Sequence, residues 1–366
     1  MVLALLLSVS GCSQGQLGEG KSVAADRLDD AGTPSRVAPQ LVTQKVLVDS
    51  DDPAIWLHPE DPSKSLVLGT DKGGAVHVFD LDGKIVKSVT GMQRMNNVDV
   101  EYGMMLGGEA VDIAVATDRD ANLVRAFRLP EMESIDGGGF PIFDGEEPEQ
   151  RRPMGVALYK RPSDGMIFAI FSRKEGPSGS YLWQYRLDDD GSGNVSFSKV
   201  REFGAFSGSG EIEAVAVDDE LGYLYYSDET AGIHKYHADP DVADADVELA
   251  LFGTDGFADD REGISIYRIN DGTGYILVSD QQANRFRVFP REGAPGAPHE
   301  HRLIKVVHLS TEESDGSEVT PARLNDQFPV GLFMAMSDDM TFQFYSWADI
   351  AGDDLVVAPD GARAHP

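Results

Sequence analysis

Residues 65–79 have the sequence SLVLGTDKGGAVHVF, in which two short apolar runs flank a glycine-rich turn at residues 71–74. Each run has the length of a β-strand, and a tight turn with glycine between two such runs is typical of a hairpin. Similar runs, for example 111–116 and 166–171, follow roughly every 8–12 residues from Val42 to the C-terminus. An amphipathic helical pattern of about 12 residues is hard to find. The sequence therefore predicts an all-β protein.

The spacing of these runs also limits the architecture. We divide the 366 residues into a signal peptide (1–12), a flexible tether rich in Gly, Ser, Asp and Pro (13–40), a folded domain (41–355) and a disordered tail (356–366). The folded part has roughly 325 residues, and a four-stranded propeller blade with its loops takes about 40–55. Six or seven radial blades fit this length better than one sandwich, although a pair of stacked sandwiches remains an alternative.

The N-terminal segment predicts export. A short apolar run ends at Cys12, which is the only cysteine of the chain, and this arrangement is similar to the lipobox of bacterial lipoproteins. No Lys or Arg precedes the run, so an ordinary secretory signal is the alternative. The run is too short to span a bilayer. We therefore expect an outer-membrane lipoprotein, or a periplasmic or extracellular protein, whose only membrane contact is a lipid anchor at Cys12.

The charge of the chain excludes one class of partner. The sequence has 62 acidic and 31 basic residues, which gives a formal net charge of -31. Proteins that bind nucleic acid need a basic face, so we expect no nucleic-acid partner. A solubilising acidic surface accounts for many of these charges. An anionic substrate would need local cations to reverse the field at its binding site.

Five segments place carboxylates or amides at the ends of predicted strands. In a propeller these ends converge on one mouth of the central channel, and Ca²⁺ prefers six to eight oxygen ligands of this kind. Zinc is disfavoured, because the chain has a single cysteine and therefore lacks a cysteine pair. Each acid taken singly is better explained as an exposed turn residue, so the prediction rests on their number. The segments are residues 51–52, 96–99, 211–216, 228–229 and 259–264.

Three cations lie in loops next to predicted strands, although basic residues are scarce. They are Lys72, Arg119 and Lys174. Arginine binds phosphate through its planar fork and lysine as a point charge, so these residues are candidate phosphate ligands. The alternative for each is a surface ion pair with an acidic sequence neighbour, which contributes little stability.

Together these segments identify a resemblance to the β-propeller phytases, calcium-dependent alkaline phosphohydrolases that act on myo-inositol hexakisphosphate (phytate). The similarity extends from about Val42 to Ile350. No single stretch is specific, but six of them occur in order along the chain. They are residues 51–56, 96–99, 174–176, 213–220, 260–264 and 328–333.

The resemblance implies a six-bladed β-propeller that binds several Ca²⁺ ions and acts as a monomer. It assigns phosphate-binding and catalytic roles to Lys72, Arg119 and Lys174. Glu213, Glu262 and Glu229, the last an acid beside the metal cluster, are also expected to be catalytic. It places a structural calcium at Asn97 and Asp99. Met154 replaces a tyrosine of the family, which removes one hydroxyl contact. The implied ligands of the active-site calcium cluster are Asp51, Asp52, Glu213, Asp260, Glu262 and Asp315.

The chemistry expected from this reading is metal-assisted hydrolysis. Calcium would screen the carboxylates and activate the attacking water, while the three cations stabilise the phosphate oxygens. We therefore expect activity to be highest at neutral to alkaline pH. Two alternatives remain open at this point: a calcium-dependent propeller lactonase or esterase, and a non-catalytic surface propeller that binds a partner.

Overall fold

The protein is built almost entirely from β-strands in the computed structural model, which describes residues 34–359. The first strand, β1, is short (Leu41–Val42). Blade 1 contains β2 (Ser50–Trp56), β3 (Leu66–Asp71), β4 (Ala75–Phe79) and β5 (Ile85–Thr90). Blade 2 contains β6 (Met95–Leu106), β7 (Glu109–Asp118), β8 (Leu123–Leu129), β9 (Glu133–Ser134) and β10 (Phe140–Pro141). Blade 3 contains β11 (Pro153–Lys160), β12 (Ile167–Arg173), β13 (Leu182–Asp189) and β14 (Val195–Phe203).

The second half of the chain repeats this pattern. Blade 4 contains β15 (Val215–Asp218), β16 (Tyr223–Asp228), β17 (Gly232–His237) and β18 (Ala250–Phe252). Blade 5 contains β19 (Arg261–Asn270), β20 (Thr273–Asp280), β21 (Arg285–Pro290) and β22 (Lys305–His308). Blade 6 contains β23 (Ser317–Thr320), β24 (Leu332–Ser337) and β25 (Thr341–Ser346), and the helix α1 (Trp347–Ala351) follows it. Single 3₁₀ turns occur at Pro62–Lys64, Arg119–Ala121, Pro148–Arg151 and Gln281–Ala283.

The ring closes where the two ends of the folded chain meet in blade 6. Strand β1 pairs with β25 in antiparallel register, with Leu41 opposite Phe344 and Val42 opposite Gln343. The outermost strand of the last blade therefore comes from the N-terminus. The hydrogen bonds of this pairing lie within blade 6, and the chain continues from β1 into blade 1, so the ring closure does not depend on side-chain packing alone.

The hydrophobic core is divided among the boundaries between blades. Within residues 34–359, six clusters of buried apolar side chains each join two neighbouring blades. At the closing boundary, for example, Phe79 of blade 1 packs edge-on against Phe342 of blade 6 with ring centroids 5.8 Å apart. Because each sheet is covered on both faces, its strands read as nearly continuous apolar runs. This explains why the runs were visible in the sequence.

The first strand of each blade faces the axis of the ring. Strands β2, β6, β11, β15, β19 and β23 contact one another in turn and line a central channel. The described part of the chain therefore forms a six-bladed β-propeller, and the predicted all-β, six-bladed fold is confirmed.

The predicted domain boundaries fall partly outside the described residues. The signal peptide with Cys12 and most of the tether (13–40) lie there, so these assignments stay predictions. Val37 at the end of the tether donates a backbone hydrogen bond to His308 at 2.8 Å. In the predicted tail (356–366), the Val356 and Ala358 amides donate to the hydroxyls of Tyr275 and Tyr267. Within residues 34–359 no helix has the length and apolar character needed to cross a membrane.

A repeated hydroxyl bond ties each of the first five blades to the next one. The last-but-one residue of the second strand is Ser or Thr in blades 1 to 5, and its hydroxyl donates to a backbone carbonyl just before or inside the first strand of the following blade. The pairs are Thr70 with Asn96, Thr117 with Met154, Ser172 with Ile212, Ser227 with Glu262 and Ser279 with Ser314. These five bonds hold the backbone at the same end of the channel.

The residue that follows this Ser or Thr ends the second strand and supports the loop that precedes the first strand of the same blade. It is Asp in four of the five blades, and each of these aspartates is buried. Asp71 accepts backbone N–H bonds from residues 47–49, Asp118 from residues 93–94, Asp228 from Ser207 and Asp280 from Ala258. The strand-end dipeptides Thr-Asp and Ser-Asp are thus a repeat signature that the sequence analysis did not use.

Replacing Thr117 by Val should lower the free energy of unfolding by about 1–3 kcal/mol, because a buried carbonyl at Met154 and the amide of Asn97 each lose a partner. Valine has the same shape and favours strands, so packing should be retained. Urea denaturation measures the change. Thr90→Val, at an exposed strand end, is the matched control and should shift stability by less than about 0.5 kcal/mol. Equal effects of the two substitutions would contradict the role of the hydroxyl bond.

Candidate active site

One mouth of the channel collects acidic residues from four blades. Asp51 lies at the start of β2, Glu262 at the start of β19, and Glu213 and Asp315 each precede an inner strand by two residues. These positions are adjacent because all six inner strands begin at the same end of the propeller. Burial and mutual repulsion raise the pKa of Asp51, and its charged neighbours include Asp315 and Glu213.

Lys72 lies at the centre of this acidic mouth. Its Nζ is 2.8 Å from Oδ2 of Asp315, 3.6 Å from Oδ1 of Asp51 and 3.6 Å from Oδ2 of Asp49. Burial alone would favour the neutral amine, but the charges of Asp51 and Asp315 outweigh it and raise the pKa of Lys72 above its ordinary value. The side chain therefore carries a full positive charge at any physiological pH.

A second acidic group lies beside Lys174. Carboxylate oxygens of Glu211, Glu213 and Glu229 all lie within 4.8 Å of one another. The Lys174 ammonium contacts Oε1 of Glu211, and the Glu211 amide donates to Oε2 of Glu229 at 2.8 Å. We call the set Asp51, Lys72, Lys174, Glu211, Glu213, Glu229, Asp260, Glu262 and Asp315 the mouth cluster.

The mouth cluster is electrostatically strained. Burial, then the charges of Asp315 and Glu211, raise the pKa of Glu213 to about 8. Burial, then the charge of Glu211, raise the pKa of Glu229 to about 7, and burial with Glu213 as the first charged neighbour raises that of Glu262. Oε2 of Glu262 and Oδ2 of Asp51 are buried and accept no hydrogen bond from any residue between 34 and 359. Such oxygens suit a hard divalent cation.

Two glutamines after β20 orient the outer acids of the cluster. Gln281 donates through Nε2 to Oδ1 of Asp315 at 2.6 Å, and Gln282 donates to Oδ2 of Asp260 at 2.7 Å. Asp260 is therefore held near Glu229 and Glu262, whose pKa values its charge raises.

Asp52 points away from the mouth cluster and along the channel. Its Oδ2 accepts from the Val98 amide at 3.2 Å, and Asn97 and Asp99 are its neighbours there. The pairing of β2 is irregular between Ser50 and Pro53, so simple alternation does not apply there; the contacts of Asp51 with Lys72 and of Asp52 with the Val98 amide place the two residues in different groups. Oδ1 of Asn97 is buried and unpaired within the described chain. Burial raises the pKa of Asp99 to about 6.

The channel is also lined by acids that the sequence analysis did not assign, and three of them have raised pKa values. They are Glu101, Asp219 and Glu318. Burial raises the pKa of Glu101 to about 7 and that of Glu318 to about 8, and it also raises that of Asp219. The signal was present in the sequence as strand alternation, because Glu101 is two residues after Asp99 and shares its face. Glu211 and Glu213 are also two residues apart, but they lie in the irregular segment before β15.

Arg119 forms no ion pair or side-chain hydrogen bond with the mouth cluster within residues 34–359. Its guanidinium lies 3.7 Å from Oδ1 of Asp120 and 3.6 Å from Sδ of Met154. Met154 is fully buried, so it fills the place beside Arg119 with an apolar side chain. Among the three predicted phosphate ligands, Lys72 and Lys174 thus contact the acids of the mouth and Arg119 does not.

Two glycines allow the inner strands to approach one another. A Cβ atom on Gly155 would collide with the carbonyl oxygen of Glu213, and one on Gly263 would lie 2.9 Å from that of Asp315. Glycine is the residue that fits such close backbone contacts. The narrow ring around Glu213, Glu262 and Asp315 therefore depends on both positions.

Comparison with known proteins agrees with this geometry. A family model described as Phytase matches residues 13–347. The chain is also 30% identical over 318 residues to the "3-phytase" of Bacillus subtilis (strain 168), an alignment that covers 82% of this chain and 80% of that protein. The chain belongs to the phytase family. The expectation of a phosphoric monoester hydrolase of the phytase type is thereby confirmed at the level of the family.

For this phytase, Glu318→Gln should change stability in a pH-dependent way when metal is removed. Burial raises the pKa of the native carboxyl from 4.5 to about 8. Folding therefore favours the protonated form, and the free energy of unfolding falls as the pH rises from about 4.5 to about 8. Glutamine does not ionise. The variant should therefore be roughly 1–3 kcal/mol more stable than the native protein at pH 8 and similar to it at pH 4.5.

Chemical denaturation in the presence of a chelator measures this difference at both pH values. Glu133→Gln, at an exposed position of β9, is the control and should leave stability unchanged. A stability difference for Glu318→Gln that is the same at pH 4.5 and pH 8 would rule out the explanation.

Proposed function

We propose that this protein is a calcium-dependent phosphomonoesterase that releases inorganic phosphate from phytate. The observation that carries the proposal is the mouth cluster, in which two lysines stand among buried carboxylates at the end of the channel. The phytase family and the 3-phytase relative support the reaction class.

The donor atoms of the mouth support calcium rather than a softer metal. The residues that would hold it are Asp51, Glu213, Glu229, Asp260, Glu262 and Asp315. All of them offer carboxylate oxygens, and neither cysteine nor histidine belongs to the mouth cluster. When bound, calcium supplies positive charge that cancels the repulsion among these acids and lowers the pKa of the attacking water.

The lysines would bind the phosphate group. A phosphomonoester dianion is repelled by a chain of net charge -31, so local positive charge has to be concentrated where the ester binds. Lys72 remains charged because Asp51 and Asp315 hold its proton, and Lys174 adds a second ammonium group. We propose that both bind the phosphate oxygens, and that Arg119 contributes a third contact from the Met154 side.

The channel would hold a structural calcium ion. Asp52, Asn97 and Asp99 present oxygens to the channel, and Oδ1 of Asn97 is buried without a partner in the described part of the chain. We assign this site to stability rather than to the reaction, because the three side chains lie along the channel and not with Lys72. Bound calcium would stabilise the folded state by mass action.

We also propose that the protein is exported and acts as a monomer. The support for export is the sequence of residues 1–12, whose apolar run ends at Cys12. A lipid on Cys12 would hold the enzyme at the outer membrane through residues 13–40, and cleavage would release it.

Phosphate release from phytate with added Ca²⁺, measured as inorganic phosphate, tests the proposal. Activity should disappear with excess chelator and return with Ca²⁺. Glu262→Gln should lower kcat/KM by on the order of 100-fold, because it removes one buried charge from the metal set. Glu60→Gln, an exposed glutamate outside the cluster, is the control and should retain full activity.

Three results would contradict this function. Release of phosphate that persists in chelator would exclude calcium dependence. Hydrolysis of lactones or carboxylic esters in place of phytate would favour the lactonase alternative. Binding of Ca²⁺ without hydrolysis of any ester would favour a non-catalytic propeller.

A further inference from the structure

We propose that Glu211 is an additional cation ligand of the mouth and that it couples cation binding to the release of Lys174 for substrate phosphate. The inference rests on the proposed function, since it assumes that a divalent cation and a phosphate ester bind there. It concerns a residue to which the family resemblance assigned no role.

The two carboxylate oxygens of Glu211 have different surroundings. Oε1 is paired with the Lys174 ammonium, while Oε2 is buried and receives no hydrogen bond from the residues that the structure describes. The side chains of Glu211 and Lys174 are 24% and 29% exposed, so the pair stands at the edge of the site and not in bulk solvent. A carboxylate with one oxygen on an ammonium group and the other unpaired is only partly neutralised.

The position of Glu211 makes it a ligand of the same cation as its neighbours. Its carboxylate lies within 4.8 Å of those of Glu213 and Glu229, which is a separation that one ion can bridge. The deeper side of the group is closed by Glu262, which is 4% exposed and whose Oε2 is one of the buried atoms without a partner in residues 34–359. Four carboxylates are thus close to one another, and among the ion pairs of residues 34–359 the ammonium group that contacts one of them directly is that of Lys174.

Lys174 has two competing partners in this arrangement. While it neutralises Glu211, its ammonium group is turned to a carboxylate of the protein and is less available to a phosphate. A divalent cation that binds Glu211 replaces that monovalent charge, which frees Lys174 to contact the ester. By linkage the effect is reciprocal: whatever removes Lys174 from Glu211 should strengthen cation binding by the same factor. Lys174 and Glu211 therefore act as a positioning pair.

Lys72 offers a useful contrast within the same mouth. It is 13% exposed and lies near three carboxylates at once, so the loss of one of them leaves it paired. Among the ion pairs of residues 34–359, Lys174 pairs with one carboxylate, that of Glu211. The coupling should consequently depend on Glu211 for Lys174 and be weak for Lys72.

A double-mutant cycle on Ca²⁺ affinity, measured by isothermal titration calorimetry, tests the pair without using activity. Glu211→Gln should weaken calcium binding at the mouth by about tenfold, because the charge of the ligand set controls affinity. Lys174→Met should strengthen it by about fivefold or more in the native background. In the Glu211→Gln background, Lys174→Met should change the affinity by less than about twofold. Glu262→Gln identifies which of the binding events belongs to the mouth.

Lys199→Met is the matched control, because it removes one positive charge from an exposed lysine on blade 3 and should leave calcium affinity unchanged. Circular dichroism establishes that each variant is folded. If Glu211→Gln does not fold, Glu211→Ala replaces it in the same measurement. Calcium affinity that is unaffected at Glu211 would overturn the proposal. An equal effect of Lys174→Met in both backgrounds would also overturn it, since that would be a general charge effect.

The outcome is separate from that of the proposed function. The cycle is read from calcium binding alone, so it fails if Glu211 is not a ligand even when the native protein hydrolyses phytate. Conversely, a protein that shows the coupling but releases no phosphate would contradict the function and leave the positioning pair in place.

Discussion

Mutual repulsion among carboxylates that cannot reach bulk water is the constraint on which this structure depends. The first strands of all six blades begin at one end of a narrow channel, so their acids are forced together. Burial and like charge then raise the pKa values of Glu213, Glu229 and Glu262 well above those of free carboxyls. The fold withstands this because its stability comes from elsewhere: apolar clusters between blades, the β1–β25 pairing and the hydroxyl bonds that fix each loop. A site of this kind is stable only while counter-charges are present.

The distribution of cations follows from that constraint. In the absence of metal, Lys72 and Lys174 are the groups that offset the acids of the mouth, and both are consequently paired with protein carboxylates. A divalent cation and a phosphate ester therefore help one another to bind, the first by occupying the carboxylates and the second by accepting the lysines. In this account specificity for a phosphate ester arises from the exchange of partners, and it needs no covalent intermediate on the protein.

Much of the fold could be predicted from the sequence, because sheets buried on both faces leave continuous apolar runs such as residues 166–171. The number of blades came from the family resemblance and from length. Strand alternation was informative but incompletely used, because it predicts the channel position of Glu101 from that of Asp99. It does not explain the mouth, since Asp51 and Asp52 lie at an irregularity of β2 and Glu211 and Glu213 precede β15. The contacts of Arg119 with Asp120 and Met154, and those of Gln281 with Asp315, depend on loop geometry that no local pattern specifies. The strand-end Thr-Asp and Ser-Asp pairs were readable but become meaningful only once the blades are known.

Anomalous diffraction from crystals grown with excess Ca²⁺ tests the central claim most directly, because it locates the ions without reference to activity. The account predicts strong peaks at the channel mouth, bounded by the carboxylates of Asp51, Glu213 and Glu262. A mouth without any such peak, with these three side chains directed into separate regions of solvent, would contradict it.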